Sequence, residues 1–199
     1  MRIWGRNMAE ENRNAQTIQD KRQLRREVLA RRDALSEMQQ SAAGKRITES
    51  VLTHAWFREA GVILGFASFG SEISTDEILQ ETLRQGKKLY LPRIAGDEMV
   101  FGRVLDLAYL QTGYKGIREP AASAEQFAGG TEAVLMLMPG VAFDAGRGRI
   151  GYGKGFYDRF LAAHPQLIGR TIGIAHACQL VEQIPCEDTD IRPAQVIVG

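Results

Sequence analysis

Little in this chain of 199 residues could cross-link or clamp it. It has only two cysteines, Cys178 and Cys186, with no histidine cluster beside them. That excludes a disulfide-stapled scaffold, argues against a zinc site and fits buried thiols in a reducing compartment. No apolar run approaches the roughly 20 residues that cross a bilayer. Met1 to Gln16 lacks the apolar core of a signal peptide and carries Glu10 and Glu11, against secretion. Neither sign of charge dominates: 25 Lys and Arg face 24 Asp and Glu, so there is no global nucleic-acid footprint. Internal repeats and low-complexity tracts are missing too. What remains is one globular domain, and a chain of this size buries roughly 70% of its unfolded surface without covalent help.

The charge is unevenly placed. Residues 1–32 hold nine basic and four acidic side chains, which leaves 16 basic and 20 acidic for 33–199. A basic N-terminal segment binds a polyanion or is simply a solvated helix face. Residues 1–16 read as a flexible leader, with Met8 as an alternative start, and 17–199 as a single domain in the cytoplasm.

Apolar periodicity predicts a helix over 17–35, with Leu24, Val28 and Leu35 on one stripe and the arginines on other faces. Ser36 and Gln39 form a capping box that opens a second helix toward Leu52. The run from Val62 to Phe69 predicts a strand covered on both faces. Thr75 is the expected cap of a helix ended by Gly86, and Lys88–Pro92 follows as a strand, giving a β-α-β unit. Further strands are expected at 99–104, 134–138, 169–175 and 195–198, a helix at 156–163 and one helical turn at 180–184. This alternation means an α/β sandwich with a mostly parallel sheet.

Between the strand at 134–138 and the helix at 156 lies Asp144-Ala-Gly-Arg-Gly-Arg-Ile-Gly-Tyr-Gly-Lys-Gly155. Glycines let the main chain approach an anion and point N–H groups at it, and a helix N-terminus adds partial positive charge. With Arg149 and Lys154 as counter-charges, the loop reads as a phosphate site. It is neither of two familiar kinds. Gly146 to Gly151 has dinucleotide spacing but no closing acid, and Gly148 to Lys154 matches a P-loop in which Gly155 replaces the metal-binding Ser or Thr.

Several segments, in this order, resemble the 5-formyltetrahydrofolate cyclo-ligase family. They are Lys21-x-x-Leu24-Arg25, Glu72-Ile73-x-Thr75, Leu91-Pro92-Arg93, Met138-Pro-Gly-Val-Ala-Phe-Asp144 running into Arg149-x-Gly151-x-Gly153-Lys154-Gly155-x-Tyr157-Asp158, and Asp190 five residues after Pro185. The resemblance implies a three-layer α/β/α sandwich similar to the NagB/RpiA/CoA-transferase-like fold. It also implies ATP-dependent cyclisation of 5-formyltetrahydrofolate to 5,10-methenyltetrahydrofolate, through a phosphorylated formyl group.

By the same resemblance, Lys154 and Arg149 are the catalytic cations. Lys21, Arg25, Arg149, Ile150, Gly151, Tyr152, Gly153, Lys154, Gly155, Phe156 and Tyr157 would surround ATP. Ala67, Glu72, Tyr152 and Phe156 would meet the folate, with the Glu72 carboxylate on its aminopyrimidine edge. Asp158 and Asp190 would hold Mg²⁺, whose preference is for hard oxygens and retained waters. The expected partners are 5-formyltetrahydrofolate and Mg-ATP, with a monomer and no nucleic acid or membrane. His54, His164 and His176 are expected to be structural. Two other readings stay open: a non-catalytic binder of reduced folate or nucleotide, and a sugar-phosphate enzyme on a similar sandwich.

Overall fold

The computed structural model describes the backbone of residues 4–199 and the side chains from Gln16 onward. The helix expected over 17–35 is the C-terminal part of α1 (Trp4–Asp33). Residues 4–16 of the expected leader continue that helix, and residues 1–3 lie outside the description. Next come α2 (Glu37–Thr53) and α3 (Ala55–Glu59). The capping box is present: Ser36 Oγ accepts from the Gln39 N–H at 3.3 Å, and Gln39 Oε1 accepts from the Ser36 N–H at 2.9 Å.

The sheet is built from β1 (Val62–Leu64), β2 (Lys88–Ala95) and β3 (Glu98–Val104), with α4 (Asp76–Arg84) between the first two. A small hairpin follows, β4 (Gln111–Thr112) with β5 (Arg118–Glu119). Then come β6 (Val134–Met138), β7 (Ala142–Asp144), β8 (Arg149–Ile150), α5 (Phe156–Ala163), β9 (Thr171–Ala175), β10 (Leu180–Val181) and β11 (Gln195–Val198). The main sheet runs β11-β9-β6-β1-β2-β3, parallel throughout except for the β2–β3 pair.

Alternation along the strands builds the two cores. Ile63, Leu89, Leu91, Leu135 and Leu137 turn to one face and pack with Ile47, Val51, Phe57, Ile78 and Leu79 of α2, α3 and α4. Val62, Leu64, Tyr90, Met136 and Met138 turn to the other and meet Phe160 and Leu161 of α5 and Leu167 beyond it. These are the three layers that the sequence predicts.

Three local expectations need correction. The strand expected over 62–69 ends at Leu64. Gly65 still donates to the Tyr90 carbonyl at 2.9 Å, but Phe66 is tied instead to Thr75, whose hydroxyl donates to its carbonyl at 2.6 Å. That same hydroxyl accepts from the Ser68 N–H at 3.1 Å, so Thr75 stands at the N-cap of α4 without capping its amides. The helical turn expected at 180–184 is instead β10, because Leu180 and Val181 pair with Phe143 and Asp144 of β7. With β8 these strands form a second sheet, β10-β7-β8, two of whose members, β7 and β8, fall where the sequence reads as loop between 138 and 156. It is packed against α1 by Val28, Val141, Ala142, Ile150 and Ile184.

Candidate active site

In an open parallel sheet the ligand crevice lies beyond the carboxyl ends of the strands. Here that edge carries a cleft of about 1060 Å³, bounded by α1, the segment after β1, the glycine loop and residues 187–191. Every site residue expected from sequence lines it: Lys21, Arg25, Ala67, Glu72, the run from Arg149 to Asp158, and Asp190. Tyr114, held edge-on to Phe156 at 6.4 Å between ring centres, lines it as well.

The glycine loop is held from both ends. Asp144 Oδ1 accepts from the Gly148 N–H at 2.7 Å and its Oδ2 from the Ile184 N–H at 2.9 Å, which sets the β7–β8 turn. From α1, Arg25 Nε donates to the Gly151 carbonyl at 2.8 Å. Burial and the neighbouring Arg22 charge lower the Arg25 pKa. Gly153 and Gly155 have φ of +95° and +64°, which L side chains rarely adopt, and Gly155 is the residue before α5. Lys154, between them, is exposed, and its ammonium has no hydrogen bond or ion pair among the described residues. A free cation among glycines at a helix N-terminus suits a phosphate chain.

The acids are already engaged. Asp158 Oδ1 receives Arg149 Nη2 at 2.9 Å and the Ile191 N–H at 3.1 Å. Asp190 Oδ2 receives Lys21 Nζ at 2.5 Å and the Glu187 N–H at 2.8 Å, and Glu187 itself binds Lys21 at 2.6 Å. Burial opposes the charged form of Lys21, but the hydrogen bonds to Asp190 and Glu187 outweigh it and leave its pKa raised. Each expected metal aspartate is thus paired with an expected ATP-contacting cation. Among the described residues no three histidines, cysteines or acids gather into a cage. The second oxygen of Asp158 and of Asp190 accepts no hydrogen bond there, so two oxygen donors remain. That donor set suits Mg²⁺, which takes one or two carboxylates plus phosphate and water.

Glu72 lies across the cleft, in the segment after β1. Its Oε2 accepts from the Phe69 N–H at 2.9 Å and its Oε1 from the Tyr152 hydroxyl at 2.7 Å. Burial pushes its pKa up, opposed by those two donors and by the Arg32 charge. Burial also raises the Tyr152 and Tyr157 hydroxyls, and Tyr157 Oη is buried without a partner among the described residues.

Sequence reasoning missed Arg32, which lies buried with Nη2 at 3.1 Å from the Tyr152 hydroxyl. The signal was available. Positions 21, 25, 28 and 32 fall on one helical stripe, so Lys21, Arg25 and Arg32 accompany Val28 inward rather than lying on other faces. Glu187 and Glu119 also line the cleft unpredicted. None of the three histidines lines it: His54 accepts from the Trp56 N–H at 3.1 Å, and His164 stacks on Phe160 at 4.3 Å.

Comparison with known proteins identifies the family. The 5-formyltetrahydrofolate cyclo-ligase from Haemophilus influenzae is 32% identical over 184 residues, covering 91% of this chain and 98% of its own. The Escherichia coli K12 protein of the same name is 31% identical over 173 residues, with 85% and 95% covered. The NMR structure of Aquifex aeolicus 5,10-methenyltetrahydrofolate synthetase superposes with a TM-score of 0.78 at 29% identity, over 89% of each chain. A synthetase structure from Mycoplasma pneumoniae shares the fold, with a TM-score of 0.70 at 23% identity over 89% of this chain and 98% of that one. The profile of the 5-formyltetrahydrofolate cyclo-ligase family matches residues 17–199, and the chain belongs to that family.

Proposed function

We propose that this protein is a ligase that uses ATP to close 5-formyltetrahydrofolate into 5,10-methenyltetrahydrofolate, releasing ADP and phosphate. The single observation that carries the reading is convergence. Residues as far apart in sequence as Lys21, Glu72, Lys154 and Asp190 line one cleft in a chain of this family.

The chemical problem is a poor electrophile, because the formyl nitrogen donates into its carbonyl. In the proposed route the formyl oxygen attacks the γ-phosphorus of ATP and the bond to ADP breaks, leaving an iminium phosphate. The lone pair of N10 then adds to the formyl carbon, N10 loses its proton, and the carbon–oxygen bond breaks to expel phosphate. Such a sequence needs positioning and charge neutralisation more than a side-chain nucleophile. Lys154 brings an uncommitted cation to the transferring group, and Arg149, fixed by Asp158, brings a second. Arg25 shapes the loop by holding the Gly151 carbonyl. Glu72 accepts from the aminopyrimidine edge, with Ala67, Tyr152 and Phe156 against the rings. Mg²⁺ held by Asp158 and Asp190 would supply charge neutralisation of the triphosphate.

The reading includes a cytoplasmic monomer with no nucleic-acid or membrane partner; no helix among the described residues is long and apolar enough to cross a membrane. Family membership counts against a sugar-phosphate enzyme, and a mere binder has no need of the two aspartates, Asp158 and Asp190, proposed to bridge phosphates through a metal. The test is ultraviolet absorbance of the methenyl product on mixing protein, 5-formyltetrahydrofolate and Mg-ATP. Product should appear only with ATP and a divalent ion. Full-rate formation in EDTA, or without ATP, overturns the mechanism.

A further inference from the structure

We infer that Arg32 is a positioning residue which, through the hydroxyl of Tyr152, holds the Glu72 carboxylate in place for the folate. The inference rests on the reading of Glu72 as the folate acid.

The argument starts from donor capacity. Arginine donates and never accepts. Arg32 Nη2 lies 3.1 Å from the Tyr152 oxygen, so that oxygen accepts there and its single proton is left for Glu72 Oε1 at 2.7 Å. A tyrosine alone could turn its proton elsewhere; beside Arg32 it has one useful orientation. Arg32 is itself fixed by Nε donating to Ser71 Oγ at 2.9 Å, and Ser71 donates in turn to Asp33. Its Nη1 is buried without a partner among the described residues, so part of its charge is unmatched. Arg32 and Glu72 also share the wall of a cavity of about 10 Å³, room for one water.

The groups around Glu72 are few. Tyr152 comes from the glycine loop, Tyr157 from α5, and the Phe69 N–H from its own segment. Arg32 comes from α1, and beyond it lies buried His176, whose pKa burial lowers. The Tyr152 hydroxyl, which Arg32 orients, and the Phe69 N–H offset the withdrawal of Glu72 from water, and Arg32 adds the cation that joins them. Without it, Glu72 protonates at higher pH and can no longer accept from the folate on both oxygens.

A brace between α1 and the segment after β1 would also use the Arg32–Ser71 contact, but it would not set a titration. The experiment is calorimetric binding of 5-formyltetrahydrofolate and of ATP across pH, with wild type, R32M, R32K, Y152F and E72Q, and melting checked for each. R32M should weaken folate about tenfold, leave ATP within about twofold, and move the acid limb of folate binding to higher pH. R32K should recover part of both effects, and Y152F should shift the limb the same way. An R32M protein that loses affinity with its limb unmoved, or loses ATP equally, overturns the inference. Should R32M fail to fold, a Y152F protein with wild-type affinity and limb overturns it instead. E72Q separates the two layers: folate affinity untouched in E72Q sinks the Glu72 reading itself, whereas a loss in E72Q with no shift in R32M sinks only the role of Arg32.

Discussion

Lys21 of α1 is joined to Asp190, 169 positions later in the chain, by an ion pair of 2.5 Å. Glu187 completes the arrangement at 2.6 Å. One expected nucleotide contact therefore anchors one expected metal ligand, and α1 is tied to the segment before β11.

Replacing Lys21 with Met should leave two acids side by side without their counter-charge. We expect a loss of about 1–3 kcal/mol in urea denaturation, together with a raised KM for ATP. The pH dependence has a definite sign. The folded lysine pKa is raised, so the contribution of the pair is complete below the free value of 10.5 and fades as pH rises through the raised one. Wild type and K21M should differ at pH 7 and converge in strong alkali. Equal stability at neutral pH would show that the pair contributes nothing.

Lys154→Ala removes a charge that has no partner among the described residues, so the fold should hardly notice. Loss of one electrostatic stabiliser of phosphoryl transfer typically costs on the order of 3 kcal/mol of barrier, about a hundredfold in kcat. Folate affinity should stay near wild type. Unchanged turnover at saturating ATP would remove Lys154 from the site.

Glu72→Gln keeps the shape but turns an acceptor oxygen into a donor facing a donor. Folate should bind about ten- to a hundredfold more weakly, from roughly 1.5–3 kcal/mol of charge-assisted hydrogen bonding, with ATP nearly unaffected. Calorimetry with each ligand separately decides. A loss confined to ATP would place Glu72 on the wrong side of the cleft.

Gly153→Ala tests the loop without touching a charge. The added Cβ would sit 3.5 Å from the Arg25 guanidinium, an ordinary contact, so its cost lies in the backbone at φ of +95°. Forcing an alanine there costs roughly 1–2 kcal/mol. If the loop relaxes to escape that strain, the Arg25–Gly151 bond shifts with it, and KM for ATP should rise several-fold. Steady-state kinetics against ATP are the measurement, and wild-type values would mean that the loop tolerates a side chain there.

What could be read from sequence was whatever repeats locally. The apolar run Val134–Met138, the strand over Lys88–Pro92, the Ser36–Gln39 box and the helix ended by Gly86 each announce themselves within a few residues, and each is present. The cleft residues were legible because their order along the chain resembled a family. What escaped depends on distant partners. β7, β8 and β10 are two or three residues long and exist only because they pair with one another. Thr75 looked like a cap because its competitor, the Phe66 carbonyl, lies across a turn. Arg32 looked solvated because its partners, Ser71 and Tyr152, stand 39 and 120 positions away.

That dependence on distance has a consequence for biosynthesis. α1 leaves the ribosome ahead of its partners, carrying Lys21, Arg25 and Arg32 on one stripe while Gly151, Tyr152 and Asp190 are still to be translated. Until then only Arg32 has a partner to hand, in Ser71, and Lys21 and Arg25 have none of theirs. A nascent chain stalled before Glu187 could pair most of the main sheet yet have nothing to hold Lys21. The cleft is therefore complete only once residues 187–190 have been made, and folding of the sheet alone does not report it.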